Sequence, residues 1–89
     1  MTETVEQETL TITIPVSGAV YLNDEPISLA ELPARLQLEL TRGADRDIIL
    51  RADENIPFSR AVQVMDIAKR VGAGRFLIAT RTDEEGRTP

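Results

Sequence analysis

The amino-acid sequence predicts an α/β (α+β) two-layer sandwich, a small mixed sheet carrying two helices on one face in the order ββαβαβ. Three features predict it: apolar and polar residues alternate over 10–16, two stretches place apolar residues every third or fourth position, and short apolar runs occupy 48–50 and 76–79. A chain of 89 residues suffices for one thin-cored domain, whose folding buries roughly 60–65% of the unfolded surface.

Leu10, Ile12, Ile14 and Val16 alternate with Thr11, Thr13 and Pro15, the period of a strand with one buried face. Pro15 has no N–H to donate, which puts this strand at a sheet edge or ends it there. Ser17 and Gly18 supply a turn before a short second strand at 19–22, so the pair reads as a hairpin. After a polar break at 23–26, Ser28 and Glu31 have the spacing of a capping box. Leu29, Leu32, Leu36 and Leu40 then line one helix face. Pro33 holds the start of regular helix to about Ala30, and Gly43 is placed as the left-handed residue that stops it.

Ile48, Ile49 and Leu50 lie in a third strand, 47–52, whose continuous apolar run is that of a central strand. Pro57 opens a second helix, in which Phe58, Ala61, Val62, Met65 and Ala68 share a face with Val64, Ile67 and Val71 beside it. Ser59, Gln63, Asp66 and Arg70 make its wet side. Gly72 and Gly74 close this helix, and 76–79 forms the last strand. With both helices on one face, the other face of the sheet is left to water or a partner. Residues 1–9 and 83–89 hold no sizeable apolar side chain besides Met1 and Val5, and read as a flexible linker and a disordered tail around a domain at 10–82.

The composition, 42% hydrophobic and 28% charged, is that of a globular protein. A net charge of −5 with scattered basic residues, nine of the ten being arginine, argues against a nucleic-acid partner. No window approaches the roughly 20 apolar residues of a membrane helix, and the first residues lack the apolar stretch of a signal peptide. The absence of cysteine and histidine removes thiolate nucleophiles, soft-metal sites and the commonest proton shuttle.

Three carboxylate clusters, Asp45 with Asp47, Asp53 with Glu54, and 83–85, fall in polar turns or the tail, where solvation outweighs any acid–base role. Asp53, between a strand and a helix, is placed to cap the helix. Ser17, Ser28 and Ser59 have no histidine to activate them, with Lys69 as the one alternative base. Gly72-Ala73-Gly74 follows a helix and precedes a strand, the reverse of a phosphate loop, and reads as a helix stop. No enzyme, cofactor or metal is therefore expected. A proline-bearing strand edge beside an open sheet face instead invites strand addition by a partner.

From Arg51-Ala52-Asp53 through Ile56-x-Phe58 and Val64-Met65-Asp66 to Gly72 and the apolar strand at 76–79, the chain resembles the periplasmic domain of the ExbD/TolR family. The interval between the two runs is the specific part, and the outline agrees over about 10–82. The resemblance implies a membrane helix and linker ahead of this domain, on the periplasmic face of the bacterial inner membrane. It also implies homodimers inside an ExbB/TolQ-type partner, and proton passage at an aspartate of that membrane helix which no residue here matches. Contact with a TonB-like or TolA-like protein, or with peptidoglycan, is what it leaves to this domain.

Carried over, Arg51, Asp53, Val64, Met65, Asp66 and Gly72 match family positions, mainly structural ones. Asp53 would cap the second helix, Met65 fill the core and Gly72 end the helix, leaving Arg51 and Asp66 as surface contacts. Partner contact is expected at a sheet edge, either the first strand with Leu10, Ile12 and Ile14 or the last with Phe76, Leu77 and Ile78. The leading expectation is a dimerising periplasmic coupling module of a proton-driven motor. The alternatives are a peptidoglycan-binding anchor and a small cytoplasmic ligand-binding or enzymatic α/β domain.

Overall fold

The computed structural model describes residues 9–81; most of the expected linker and the whole expected tail, with the carboxylates at 83–85, lie outside the described residues. Within them five strands and two helices follow in the order β1 (Leu10–Ile14), β2 (Tyr21–Leu22), β3 (Glu25–Pro26), α1 (Leu32–Thr41), β4 (Asp47–Asp53), α2 (Phe58–Arg70) and β5 (Arg75–Arg81). The strands form one mixed sheet, β3-β2-β1-β4-β5. The α+β sandwich is as expected, with one strand more than ββαβαβ.

β1 runs parallel to β4, with Ile12 opposite Leu50, and β4 runs parallel to β5, with Leu50 opposite Ile78. Both connections pass through a helix and step the same way across the sheet, so right-handed crossovers put both helices on one face. Every second strand residue faces them: Leu10, Ile12, Ile14, Ile48, Leu50 and Ala52 join Leu32 and Leu36 of α1 and Val64 and Ala68 of α2 in one buried cluster. At about 25 cal/mol per Å² of apolar surface removed from water, this cluster is the main stabilising term.

β1 ends before Pro15 because the chain turns there, Gly18 N–H donating to the Pro15 carbonyl at 2.8 Å. The expected fourth inward residue, Val16, is consequently 64% exposed. The polar break at 23–26 is itself a hairpin. Leu22 pairs with Glu25 and Tyr21 with Pro26, and Asn23 turns the corner with a φ of 56°. Asparagine suits this position twice: it tolerates left-handed backbone, and its Oδ1 accepts the Thr11 N–H at 3.0 Å while its own N–H donates to the Thr11 carbonyl at 2.7 Å.

The Ser28 and Glu31 pair forms, with Glu31 N–H donating to Ser28 Oγ at 3.2 Å. It caps a turn before α1, whose regular part waits until Leu32, with Pro33 in its first turn where the missing N–H costs nothing. Leu32 and Leu36 are fully buried, Leu29 and Leu40 partly so. Gly43 follows the helix at a φ of 102°.

Candidate functional site

The expectation that the proline-bearing first strand lies at an edge is corrected by the sheet order. β1 is flanked by β2 and β4, and Leu10, Ile12 and Ile14 are all 0% exposed. They are core residues of a strand with a neighbour on each side. Of the two readings of Pro15, an edge position or the end of the strand, the second holds, since β1 stops at Ile14 just before it. The true edges are β3 and β5.

β5 is the substantial edge. Among the described residues its seven positions pair on one side only, with β4. On the helix side Phe76 is half-buried and packs against the core, whereas Ile78, two residues on, is 60% exposed. Ile78 and Thr80 face Phe58, Ala61 and Met65 of α2 across a cleft of about 260 Å³ that Leu50 and Ile56 also line. Phe58 had been expected on the core face of the second helix, yet it is 79% exposed. Its position on the helix is as the periodicity demands, but the sheet stops one strand short of covering it. Val62 is likewise partly exposed, while Val64 and Ala68 carry the buried contact. Met65 is half-buried against the core and also walls the cleft.

Asp53 does not cap α2. Pro57 occupies the cap position with no side-chain bond to the helix; Asp53 Oδ1 instead accepts the Asn55 N–H at 2.8 Å, closing the turn that leads toward it. Four residues, 54–57, separate Asp53 from the first helical residue, so it lies four positions ahead of the cap. Asp66 is exposed on the wet side of α2 and forms an ion pair with Arg70 one turn on. Gly72 ends α2 at a φ of 108°, and its carbonyl accepts a bond from Arg46 Nη1 at 2.9 Å. Gly74 N–H then donates to the Arg46 carbonyl at 2.7 Å, which steers the chain into β5.

At the start of the edge, Arg75 Nη2 meets Asp47 Oδ2 at 2.8 Å. The hydrogen bond from Arg75 holds the Asp47 carboxyl below its ordinary range, and the same bond raises Arg75. Asp45 Oδ1 accepts the Asp47 N–H at 3.0 Å. Asp45, Asp47 and Asp53, which sequence offered for chemistry, thus shape turns or pair with arginine. No cluster of three or more potential metal ligands occurs among the described residues, and no described helix is long and apolar enough to cross a membrane.

The opposite, uncovered face of the sheet is split. Ile49 and Leu77 are register partners on its apolar side. Arg51, exposed beside Thr13, belongs to a shallow polar shelf with Thr9, Thr11, Asn23 and Asp24. Threonines at every second position of β1 were visible as the polar half of the alternation. The shelf was not, because it needs the β1–β4 register.

Compared with known proteins, residues 1–83 match the family model described as Biopolymer transport protein ExbD/TolR. No match was found among curated proteins.

Proposed function

The chain belongs to the ExbD/TolR family, and from that premise we propose that it is a non-catalytic periplasmic contact domain, which passes force from a proton-driven motor to a TonB-like or TolA-like protein through the edge of β5. The family serves energy-coupled biopolymer transport, is membrane-associated, and works with ExbB/TolQ-type partners. One observation carries the reading. An unpaired seven-residue edge runs beside an apolar cleft, where Ile78 and Phe58 lie exposed.

A strand added to β5 gains a ladder of main-chain hydrogen bonds, and its alternate side chains enter the cleft. Ile78 and Phe58 then lose water, at about 25 cal/mol per Å² of apolar surface. The carboxylates of Asp45, Asp47, Asp53 and Asp66 are engaged in turns or ion pairs, which supports contact rather than chemistry. Arg51 and Asp66 remain the family positions on the surface. The test is an NMR titration of the chain with the periplasmic portion of a TonB-like or TolA-like protein. Amides of 75–81 and side chains of Phe58 and Met65 are expected to shift; unshifted β5 amides overturn the reading.

The polar shelf around Arg51 favours a second reading, an anchor that holds peptidoglycan, since hydroxyls and a guanidinium suit a sugar and carboxylate polymer. Pull-down on purified sacculi tests it. Retention lost in Arg51→Ala supports the anchor, and a chain left in the supernatant excludes it.

A further inference from the structure

The polar shelf on the uncovered face holds two charges that the fold itself does not use. Arg35, Arg42, Arg70 and Arg75 each meet a carboxylate, and Arg46 meets a backbone carbonyl. Arg51 and Asp24 are exposed, and among the described residues no hydrogen bond or ion pair engages either side chain. Both wall one concavity of about 440 Å³, with Thr9, Thr11 and Thr13 between them. The sixth lining residue, Asn23, already spends its Oδ1 on the Thr11 N–H.

The sheet register sets how far apart the two charges stand. Ile12 lies opposite Leu22 on one side of β1, and Thr13 lies opposite Arg51 on the other. Followed two residues on from Leu22, the same register brings Asp24 level with Leu10. Asp24 and Arg51 are thus two strands apart across the sheet and three positions apart along it, roughly 14 Å between backbones at about 4.8 Å per strand and 3.3 Å per residue. A lone anion at Arg51 meets the carboxylate of Asp24 and a chain of net charge −5; a lone cation at Asp24 meets the guanidinium of Arg51. A ligand with opposite charges at its two ends answers both.

We infer that this shelf binds a dipeptide with both ends free, its ammonium on Asp24 and its carboxylate on the fork of Arg51. Extended, a dipeptide spans about 7 Å, and a hydrogen bond at each end adds about 3 Å, so the two side chains close the remaining gap by leaning inward. A single amino acid, about 3.5 Å long, reaches one charge only. The peptide group of the ligand lies over the threonine row, whose hydroxyls both donate and accept. This site is on the other face of the sheet from the β5 cleft and does not depend on that reading. It shares Arg51 with the anchor reading but takes a different ligand.

The probes are Ala-Ala, its N-acetyl form, its C-terminal amide, and alanine, each titrated at low salt into the isotope-labelled chain. Ala-Ala is expected to shift the amides of 11–13, 23–24 and 51 with one molecule per chain and to leave 75–81 unmoved. Blocking either end should weaken binding about fivefold, as for an exposed charge pair, and alanine should bind no more tightly than a blocked form. High salt should narrow these differences. Asp24→Asn and Arg51→Gln, both at exposed positions, assign the ends. In Asp24→Asn the acetyl group should no longer matter while the amide still does, and in Arg51→Gln the reverse.

A shelf that Ala-Ala leaves unshifted, equal binding of the free and blocked forms, or penalties that persist unchanged in both variants overturn the proposal. Should sacculi be retained through Arg51 while Ala-Ala fails to bind, this inference falls and the anchor reading stands.

Discussion

Substituting Gly72 by alanine perturbs two things that the structure separates. The first is backbone: at a φ of 108° an L side chain is strained, by roughly 1–2 kcal/mol. The second is space, since the new Cβ would lie 2.9 Å from Arg46 Nη1 and force the guanidinium off the Gly72 carbonyl. That exposed hydrogen bond contributes about 0.5–1.5 kcal/mol. Gly43 supplies the control, with a φ of 102° and nothing within 4 Å of its Cβ position. Gly43→Ala is therefore expected to cost about 1–2 kcal/mol and Gly72→Ala about 1.5–3 kcal/mol. In a domain this small each kcal/mol lowers Tm by roughly 4–8 °C. Thermal and urea unfolding of both variants measures the difference, and repeating Gly72→Ala on an Arg46→Ala background closes a double-mutant cycle. The excess over Gly43→Ala should vanish on that background. A neutral Gly43→Ala would refute the backbone term, and an excess that survives removal of Arg46 would refute the contact.

Leu36→Ala, at a position with 0% exposure, is expected to cost roughly 2–5 kcal/mol by urea unfolding, whereas Leu38→Ala on the exposed side of the same helix stays within about 0.5 kcal/mol. Ile78→Lys and Phe58→Ser also leave urea stability nearly unchanged, since both residues are largely exposed, while weakening partner binding at β5. For Asp47 the folded pKa lies below its ordinary value of 3.8, so the unfolded state binds the proton first. Its pairing with Arg75 therefore stabilises the fold above that value, and the stabilisation is lost as the pH falls through the lower folded pKa. A pH series on Asp47→Asn should show a deficit against the parent chain near neutrality that closes below about pH 4, and high salt should shrink it at any pH. Asn23→Gly, which keeps the left-handed backbone but loses the bond to Thr11 N–H, should be milder than Asn23→Ala, which loses both; the order of their urea midpoints checks this.

Local pattern carried the fold where one residue's neighbours decide its state. The alternation at Leu10, Ile12 and Ile14, the run at Ile48 to Leu50 and the stop at Gly43 and Gly72 each depend on periodicity or on a φ that only glycine adopts easily. β3 escaped notice because two residues make no period, and its asparagine turn reads equally well as a break. Sheet order was also hidden. Parallel pairing of β1 with β4 depends on contacts distant in sequence, so nothing local showed that β1 is interior. Phe58 and Val62 fall where helical periodicity puts them. What the sequence omits is that, among the described residues, no sixth strand lies opposite. That same missing strand makes the candidate site, of which Phe76, Leu77 and Ile78 were legible and the contribution of Phe58, Met65 and Ile56 was not.

The account stands on β5 being the edge that meets the partner. Photo-crosslinking residues placed singly at Ile78, at Thr13 on the uncovered face and at Glu25 on the β3 edge, in the protein as the cell makes it, test this directly. Crosslinks from position 78 to a TonB-like or TolA-like protein, absent from positions 13 and 25, are the predicted result; crosslinks from 13 or 25 with none from 78 would contradict it.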